Sequence, residues 1–156
     1  MLRPMTSADV VAVARVHRAP VLEAFGGIFP PEAPKPTLDA LARRWGGILD
    51  DGLGWVVAEP DPIGVAGLTR EGDGSRMESL YVTPSRWGEG IGSRLADLVE
   101  TEAGRRGWLP LRLWVLEQNR RSRDWYEARG WVHEPERRRT VWGPIDDVGY
   151  RFRGRR

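Results

Sequence analysis

The sequence predicts an α/β (α+β) fold, because strand-like and helix-like segments follow one another in the order β-α-α-β-β-β-α-β-α-β-β. Three observations carry that order. Leu80–Glu100 reads as a strand ending at Val82, a turn at Thr83-Pro84-Ser85, a glycine-spaced loop and an amphipathic helix. Leu111–Gly130 repeats strand then helix, with Gly130 as a natural stop after the last helical turn. Two pairs of short apolar runs flank turn residues at Pro60-Asp61-Pro62 and Gly143-Pro144. A chain of 156 residues fits one domain with its own core, so 1–156 is read as a single unit.

The elements follow in order. Leu2 to Met5 is a short first strand, and Thr6 or Ser7 then caps a helix whose Val10, Val13, Ala14 and Val16 fall at helical spacing. GGIFPPEAPKP is a proline-rich loop that suits neither a helix nor a central strand. Thr37-Leu38-Asp39 starts a second helix with Leu38, Leu41, Trp45 and Ile48 on one side, closing near Gly46-Gly47 or Gly52. Trp55–Glu59 and Ile63–Leu68 are strands, and Arg76–Val82 is a third after the turn at Gly72-Asp73-Gly74. Beyond the two strand–helix units, Val132–Trp142 and Val148–Phe152 close the chain as strands. No repeat, low-complexity stretch or linker interrupts it.

The glycine-spaced loop carries the first chemical signal. Gly88, Gly90 and Gly92 lack Cβ atoms, so the backbone can take positive φ there and a ligand can approach closely. A helix beginning at this loop aims free N–H groups and a positive dipole end into it, which makes an anion site. A glycine-rich turn that binds nothing has the same letters. Two familiar phosphate loops do not fit. Gly92 is followed by Ser93-Arg94 rather than Lys-Ser/Thr, and Gly88-x-Gly90-x-Gly92 has the wrong interval for a dinucleotide fingerprint.

The second strand–helix unit, LWVLEQNRRSRDWYEARGW, places Ser122 and Tyr126 four residues apart, on a face shared with Trp125. Taken singly, Tyr126 reads as a core aromatic and Asn119 as an N-cap. Together the two units resemble the GNAT superfamily of acetyl-CoA-dependent N-acetyltransferases. Val82, Pro84 and Trp87-Gly88-Glu89-Gly90-Ile91-Gly92 match its acyl-CoA motif, a strand ending in Val-x-Pro followed by (Gln/Arg)-x-x-Gly-x-(Gly/Ala). Asn119, Ser122, Tyr126 and Gly130-Trp131 match its downstream pattern. Trp87 departs from the usual Gln or Arg. The likeness is strong over the second half of the chain and extends to the order of elements in the first.

The resemblance implies a mixed, mostly antiparallel central sheet flanked by the four helices, with a splayed parallel strand pair that binds CoA. It implies that pantetheine pairs with the backbone of Leu80, Tyr81 and Val82. The pyrophosphate then rests on amides of Trp87, Gly88, Glu89, Gly90, Ile91 and Gly92, helped by Ser93 and Arg94. Asn119 and Ser122 face the pantetheine arm, and Tyr126 lies near the thioester sulfur. The activity implied is transfer of an acetyl group to a primary amine, by direct attack in a ternary complex.

That chemistry sets its own requirements. An amine of pKa about 10 arrives protonated and must lose a proton. The oxyanion needs an N–H donor, which a backbone amide near Val82 supplies. The departing thiolate needs a proton or a hydrogen bond, and Tyr126 carries a hydroxyl for it. Glu78 is the first candidate base, because it shares its parity with Leu80 and Val82 on the same strand. A surface glutamate is the alternative. Glu23, Glu59 and His133 are weaker candidates for the base, and His17 and His133 are read as structural.

Composition limits the alternatives. With no cysteine, disulfides, thiolate metal sites and acyl-cysteine intermediates are excluded, and no cluster has metal-ligand spacing. No stretch approaches the roughly 20 apolar residues of a membrane span, so membrane association is not expected and the cytoplasm is the default location. The formal net charge is +2, and nearly all the basic charge is arginine. Arg137-Arg138-Arg139 and the terminal RFRGRR read as solvated clusters rather than a nucleic-acid site. A non-catalytic acyl-CoA-binding module and an arginine-based nucleic-acid binder remain the alternative classes, and a monomer or a homodimer is open. The acceptor is a small molecule or peptide amine. Phe25, Phe29, Trp45 and Trp142 offer aromatic walls for it, and Glu23, Glu32 and Asp39 offer negative charge.

Overall fold

A computed structural model describes residues 1–154, with the backbone alone for Ala24 and Phe25. Arg155-Arg156, the end of the terminal basic cluster, and the proposed aromatic wall of Phe25 lie outside the described residues.

Seven strands form one sheet in the order β1-β2-β3-β4-β5-β7-β6. They are β1 (Leu2–Pro4), β2 (Gly52–Ala58), β3 (Pro62–Glu71), β4 (Gly74–Val82), β5 (Leu111–Leu116), β6 (Trp131–Trp142) and β7 (Ile145–Phe152). Neighbours are antiparallel except β4 and β5. Among the described residues four α-helices cover the faces: α1 (Val10–Phe25), α2 (Leu38–Asp51), α3 (Ile91–Arg105) and α4 (Arg120–Ala128). None of the described helices is long and apolar enough to cross a membrane.

The alternating pattern of the strands builds two cores. Val56 and Val65 face α1 and α2, packing with Val13, Val16, Trp45 and Ile48. Their neighbours Trp55, Val57, Ala66 and Leu68 face the other way, onto Leu95 and Val99 of α3 and Tyr126 of α4. Burying a full aliphatic side chain of this kind stabilises by about 1.5–3 kcal/mol, so the sheet is held from both sides. Thr37 caps α2 by accepting the Ala40 amide at 3.1 Å. A short 3₁₀ turn, Ser7–Asp9, precedes α1, and the Thr6 N–H donates back to Asp9 Oδ2 at 2.9 Å. The second helix runs through Gly46-Gly47 and ends only at Gly52.

The feature that positions the site is the parallel pair. β4 and β5 are in register only at Ser75↔Leu111 and Arg76↔Arg112. Beyond those residues β5 turns to β7, with pairs from Arg112↔Arg151 to Leu116↔Asp147, while β4 stays on β3. The two strands therefore part, as the resemblance implied, and leave one edge of β4 open. A second irregularity lies beside the opening. Gly67 pairs with Ser79 and Leu68 with Met77, so Glu78 is an extra residue in β4, a β-bulge.

Candidate active site

A cavity of about 1090 Å³ occupies the splay and continues under α1, α2 and the segment between them. Its two ends are chemically different. One is the glycine loop and the start of α3. The other is a group of charged side chains on β4, β7, β6 and α2.

At the loop end, Gly88 and Gly90 have φ of +85° and +78°, the left-handed conformation that glycine adopts without a Cβ penalty. Gly90 leads directly into α3, and the Arg94 amide closes the first turn on its carbonyl at 3.1 Å. The amides of Ile91, Gly92 and Ser93 therefore have no intrahelical acceptor. Gly92 is helical and needs no special φ. A Cβ there would stand 3.8 Å from Val82, 3.9 Å from Leu80 and 3.9 Å from Trp125, so its missing side chain opens the groove between those three. These residues fit a pyrophosphate with a narrow arm behind it.

The free edge of β4 leads away from this cradle. The Thr83 amide bonds Ile63 O of β3 at 2.9 Å, so by antiparallel alternation the backbone groups of Val82 and Leu80 face the splay. One of them is already engaged, because the Trp87 indole N–H donates to Val82 O at 2.8 Å. Arg121 stacks over the same indole, 4.6 Å from its centroid, and Trp87 itself is 40% exposed.

Helix α4 presents the second motif. Asn119 caps it by accepting the Ser122 amide at 3.1 Å, and both residues line the cavity. Tyr126 is buried against Trp125 and Trp131 with its edge on the cavity. Burial, then the neighbouring Tyr81, push its hydroxyl well above the ordinary tyrosine range. The helix is anchored from its far end, where Arg129 donates to Glu100 at 3.0 Å and to Asp97 at 2.6 Å. Trp131 Nε1 also donates to Glu100, at 3.1 Å. Burial pushes the Glu100 carboxyl up against the pull of these partners.

At the charged end, Glu78 is held by several donors. Its Oε1 accepts from Thr69 Oγ1 at 2.8 Å and from Arg76 at 2.7 and 3.0 Å. Among the described residues its Oε2 accepts only from Arg44 of α2, at 3.3 Å. The bulge decides its direction. Leu80 and Val82 pack toward α3 with the larger core, whereas Tyr81 packs with the α1–α2 core. Glu78 stands with Arg44 of α2 and above Gly67, on the Tyr81 side. The shared parity with Leu80 and Val82 expected from the sequence is corrected here, since one inserted residue reverses the alternation.

Of the residues singled out in the sequence, Glu78, Leu80, Tyr81, Val82, Trp87, Gly88, Gly90, Ile91, Gly92, Ser93, Asn119, Ser122 and Tyr126 come together around the cavity. Glu89 and Arg94 do not line it. The Glu89 carboxylate turns to Arg86 at 2.8 Å, and Arg94 is exposed on α3. The Trp87 amide is also unavailable to a phosphate, because it donates to Pro84 O at 3.2 Å. Trp45 is no acceptor wall: it is fully buried and donates to His17 Nδ1 at 3.0 Å. His17 also stacks on Tyr81, 4.0 Å between centroids. Burial, then the charge of Arg44, hold its pKa at about 3, which keeps it neutral and structural. Glu32 and Asp39 are not among the lining residues, whereas Phe29, Trp142 and Glu23 are.

Sequence reasoning missed Arg44, Arg76, Arg139 and Asp147, all of which line the cavity. No local pattern marks them, because each reaches the site from a different element. The arginine cluster of β6 is spent within the molecule. Arg138 pairs with Glu117 and Asp146, Arg139 with Asp147, and Arg137 with Glu134 and Glu71. Arg137 and Arg139 also lie over the Trp114 ring, 4.7 and 4.6 Å from its centroid. Among the described residues no group of three or more His, Asp or Glu is placed to hold a metal ion.

Comparison with known proteins agrees with this geometry. A model of the acetyltransferase (GNAT) family matches residues 19–131. A search of the curated proteins finds no match to this sequence. Solved structures share the fold. The PaiA N-acetyltransferase of Thermoplasma acidophilum, determined with coenzyme A, superposes with a TM-score of 0.76 at 20% identity, over 97% of this chain and 98% of that one. A ribosomal-protein-alanine N-acetyltransferase from Brucella melitensis gives 0.74 at 19% identity, over 97% and 98%. A GCN5-related N-acetyltransferase from Rhodopseudomonas palustris gives 0.76 at 22%, over 97% and 94%.

Proposed function

The chain belongs to the acetyltransferase (GNAT) family, and on that premise we propose that it transfers the acetyl group of acetyl-CoA to a primary amine, by direct attack while both substrates are bound. The observation that carries this reading is the continuity of the cavity. It joins a glycine cradle, an unpaired strand edge and a charged pocket in one space.

In this reading the amides of Gly88 to Ser93 hold the pyrophosphate, and the backbone of Leu80 together with the Val82 N–H pairs with pantetheine as an added strand would, Val82 O being held by Trp87. Asn119 and Ser122 bound the arm from α4. The thioester carbonyl then lies at the open edge of β4, where the Leu80 or Val82 N–H donates to the oxyanion. The amine enters from the α1–α2 side. The ammonium first gives a proton to Glu78 Oε2, directly or through water; the freed nitrogen then forms a bond to the acetyl carbon, the bond from that carbon to sulfur breaks, and the second proton on nitrogen is lost to solvent. Oε2 is the less occupied oxygen of that carboxylate. Holding amine and thioester in contact supplies much of the acceleration.

Tyr126 serves the departing sulfur. A hydroxyl whose pKa burial has raised is fully protonated at neutral pH, so it is always a donor. A thiol titrates near 8.5, below tyrosine, so Tyr126 stabilises the thiolate mainly by a hydrogen bond as it forms, and solvent completes the protonation. Residues 1–156 are taken as one catalytic unit.

The test is to incubate the protein with acetyl-CoA and a panel of amines, following free thiol and the mass of the acetylated product. Thiol release matched by acetylated amine is the expected result. Saturable CoA binding with no transfer to any amine would leave an acyl-CoA-binding module instead.

A further inference from the structure

The charges at the acceptor end do not balance. Glu78 belongs to a chain of ion pairs that runs from Arg44 through Glu78, Arg76, Glu71, Arg137 and Glu134 to Arg112. Four arginines in this chain face three glutamates. The buried carboxylate of the pocket, Asp147, is matched by Arg139 at 2.9 Å. Glu23 also lines the cavity but is exposed, where solvent and salt screen it. The chain ends in an arginine on either side, Arg44 and Arg112, and of these two Arg44 lines the cavity.

Arg44 is also the most exposed of these four arginines. Its Nη2 alone makes contacts, 3.3 Å to the carbonyl and to Oε2 of Glu78 and 3.4 Å to Ser79 Oγ, whereas Arg76 reaches the same carboxylate at 2.7 Å. Its Nε and Nη1 make no hydrogen bond among the described residues, and 45% of its side chain is exposed. We propose that Arg44 binds a carboxylate of the acceptor, so that the substrate is a compact amine with a carboxylate close to its nitrogen, such as an amino acid, rather than a polyamine. This rests on the acetyl-transfer reading and names the substrate class of that same site.

Position and chemistry agree on the size. Glu78 and Ser79 immediately precede Leu80, and a strand rises about 3.4 Å per residue. An anion on Arg44 thus lies within a few bonds of an amine that reaches the thioester at Leu80. The guanidinium fork donates two parallel N–H bonds to a carboxylate. Glu78 Oε2, 3.3 Å from Nη2, receives the ammonium of the same molecule. Adjacent opposite charges suit a zwitterion, and a polyamine would bring a second cation against Arg44.

The experiment uses matched acceptors: an amino acid, its carboxamide and its decarboxylated amine, together with peptides bearing an acidic or a neutral N-terminal residue. The carboxylate form should lead the other two by about 10- to 150-fold in kcat/KM, the range for hydrogen bonds to a charged group. Arg44→Gln should erase that preference while leaving the Kd for CoA unchanged, and Arg44→Lys should restore part of it. Calorimetry of the same acceptors with CoA-saturated protein reads recognition without turnover. Selective binding that Arg44→Gln abolishes supports the proposal even where transfer fails, which would count against acetyl transfer alone. Preference for acidic peptides over the free amino acid would move the carboxylate to a peptide and overturn the small-molecule class. Equal use of all three matched forms, or equal loss on all of them in Arg44→Gln, overturns the proposal.

Discussion

Gly92→Ala should raise stability and weaken CoA binding at once. Gly92 is the second residue of α3, in ordinary helical conformation, and the added methyl meets its three nearest side chains at 3.8 to 3.9 Å. The free protein accommodates it without strain. Exchanging glycine for alanine in a helix is worth up to about 1 kcal/mol, or about 2–4 °C in melting temperature at this chain length. The same methyl projects into the groove between Leu80, Val82 and Trp125, where the reading places the arm of CoA. Overpacking a fitted space costs about 1–3 kcal/mol, which corresponds to about 5- to 150-fold in Kd. Gly90→Ala is the internal control. Its Cβ would meet nothing within 4 Å, but φ is +78°, so alanine there costs about 1–2 kcal/mol of stability. Thermal melting and calorimetric titration with CoA read both effects. A Gly92→Ala protein that melts no lower and binds CoA with the parental Kd refutes the cradle.

Tyr126→Phe should lower kcat by about 10- to 150-fold, the range for losing a hydrogen bond to a charged group, with little change in the Kd for acetyl-CoA, measured by steady-state kinetics beside calorimetry; an unchanged kcat removes the hydroxyl from the mechanism. Glu78→Gln should bind acetyl-CoA normally, turn over slowly, and recover rate as pH approaches the pKa of the amine, so a pH–rate profile identical to the parent's places the base elsewhere. His17 has a folded pKa of about 3 against 6.5 for the free side chain, so it stays neutral while the unfolded chain takes up a proton. Its contribution to stability is complete above pH 6.5 and is lost as pH falls toward 3, by about 1.4 kcal/mol per pH unit. Over that window a melting series on His17→Asn should show a shallower acid limb than the parent, and parallel limbs would contradict the assignment.

The order of elements was legible because the signals were local. Thr37 before Leu38, the alternating Val and Ala of β2 and β3, and the glycines around α3 each act within a few residues. What the sequence concealed depends on partners far along the chain. Trp45 has the helical spacing of a buried residue, and its Nε1 bond to His17 joins positions 28 residues apart. Arg44, one residue earlier, turns toward β4. The face of Glu78 was misjudged for a sharper reason. Parity along a strand assumes an unbroken pleat, and the extra residue opposite Gly67 and Leu68 breaks it. No glycine or proline at Glu78 announces the bulge, and the mispairing is visible only when β3 is laid against β4.

Trp87 shows how a motif can lose a letter and keep its physics. The family pattern has Gln or Arg at this position, a side chain that donates hydrogen bonds beside the phosphate loop. The indole retains a donor, and the structure aims it at Val82 O at 2.8 Å, fixing the loop to the end of β4. It cannot supply the positive charge that arginine would bring. A cation stands nearby on α4, where Arg121 lies over the ring at 4.6 Å and also lines the cavity. An indole face attracts a guanidinium by about 0.5–1 kcal/mol at an exposed site, enough to bias where Arg121 rests. The donor and the cation that one arginine would combine are thus divided between two elements, and the stacked pair ties α4 to the loop across the splay. A sequence motif read position by position registers only the missing residue. Read as a requirement for a donor and a cation at the cradle, the departure at Trp87 agrees with the rest of the site.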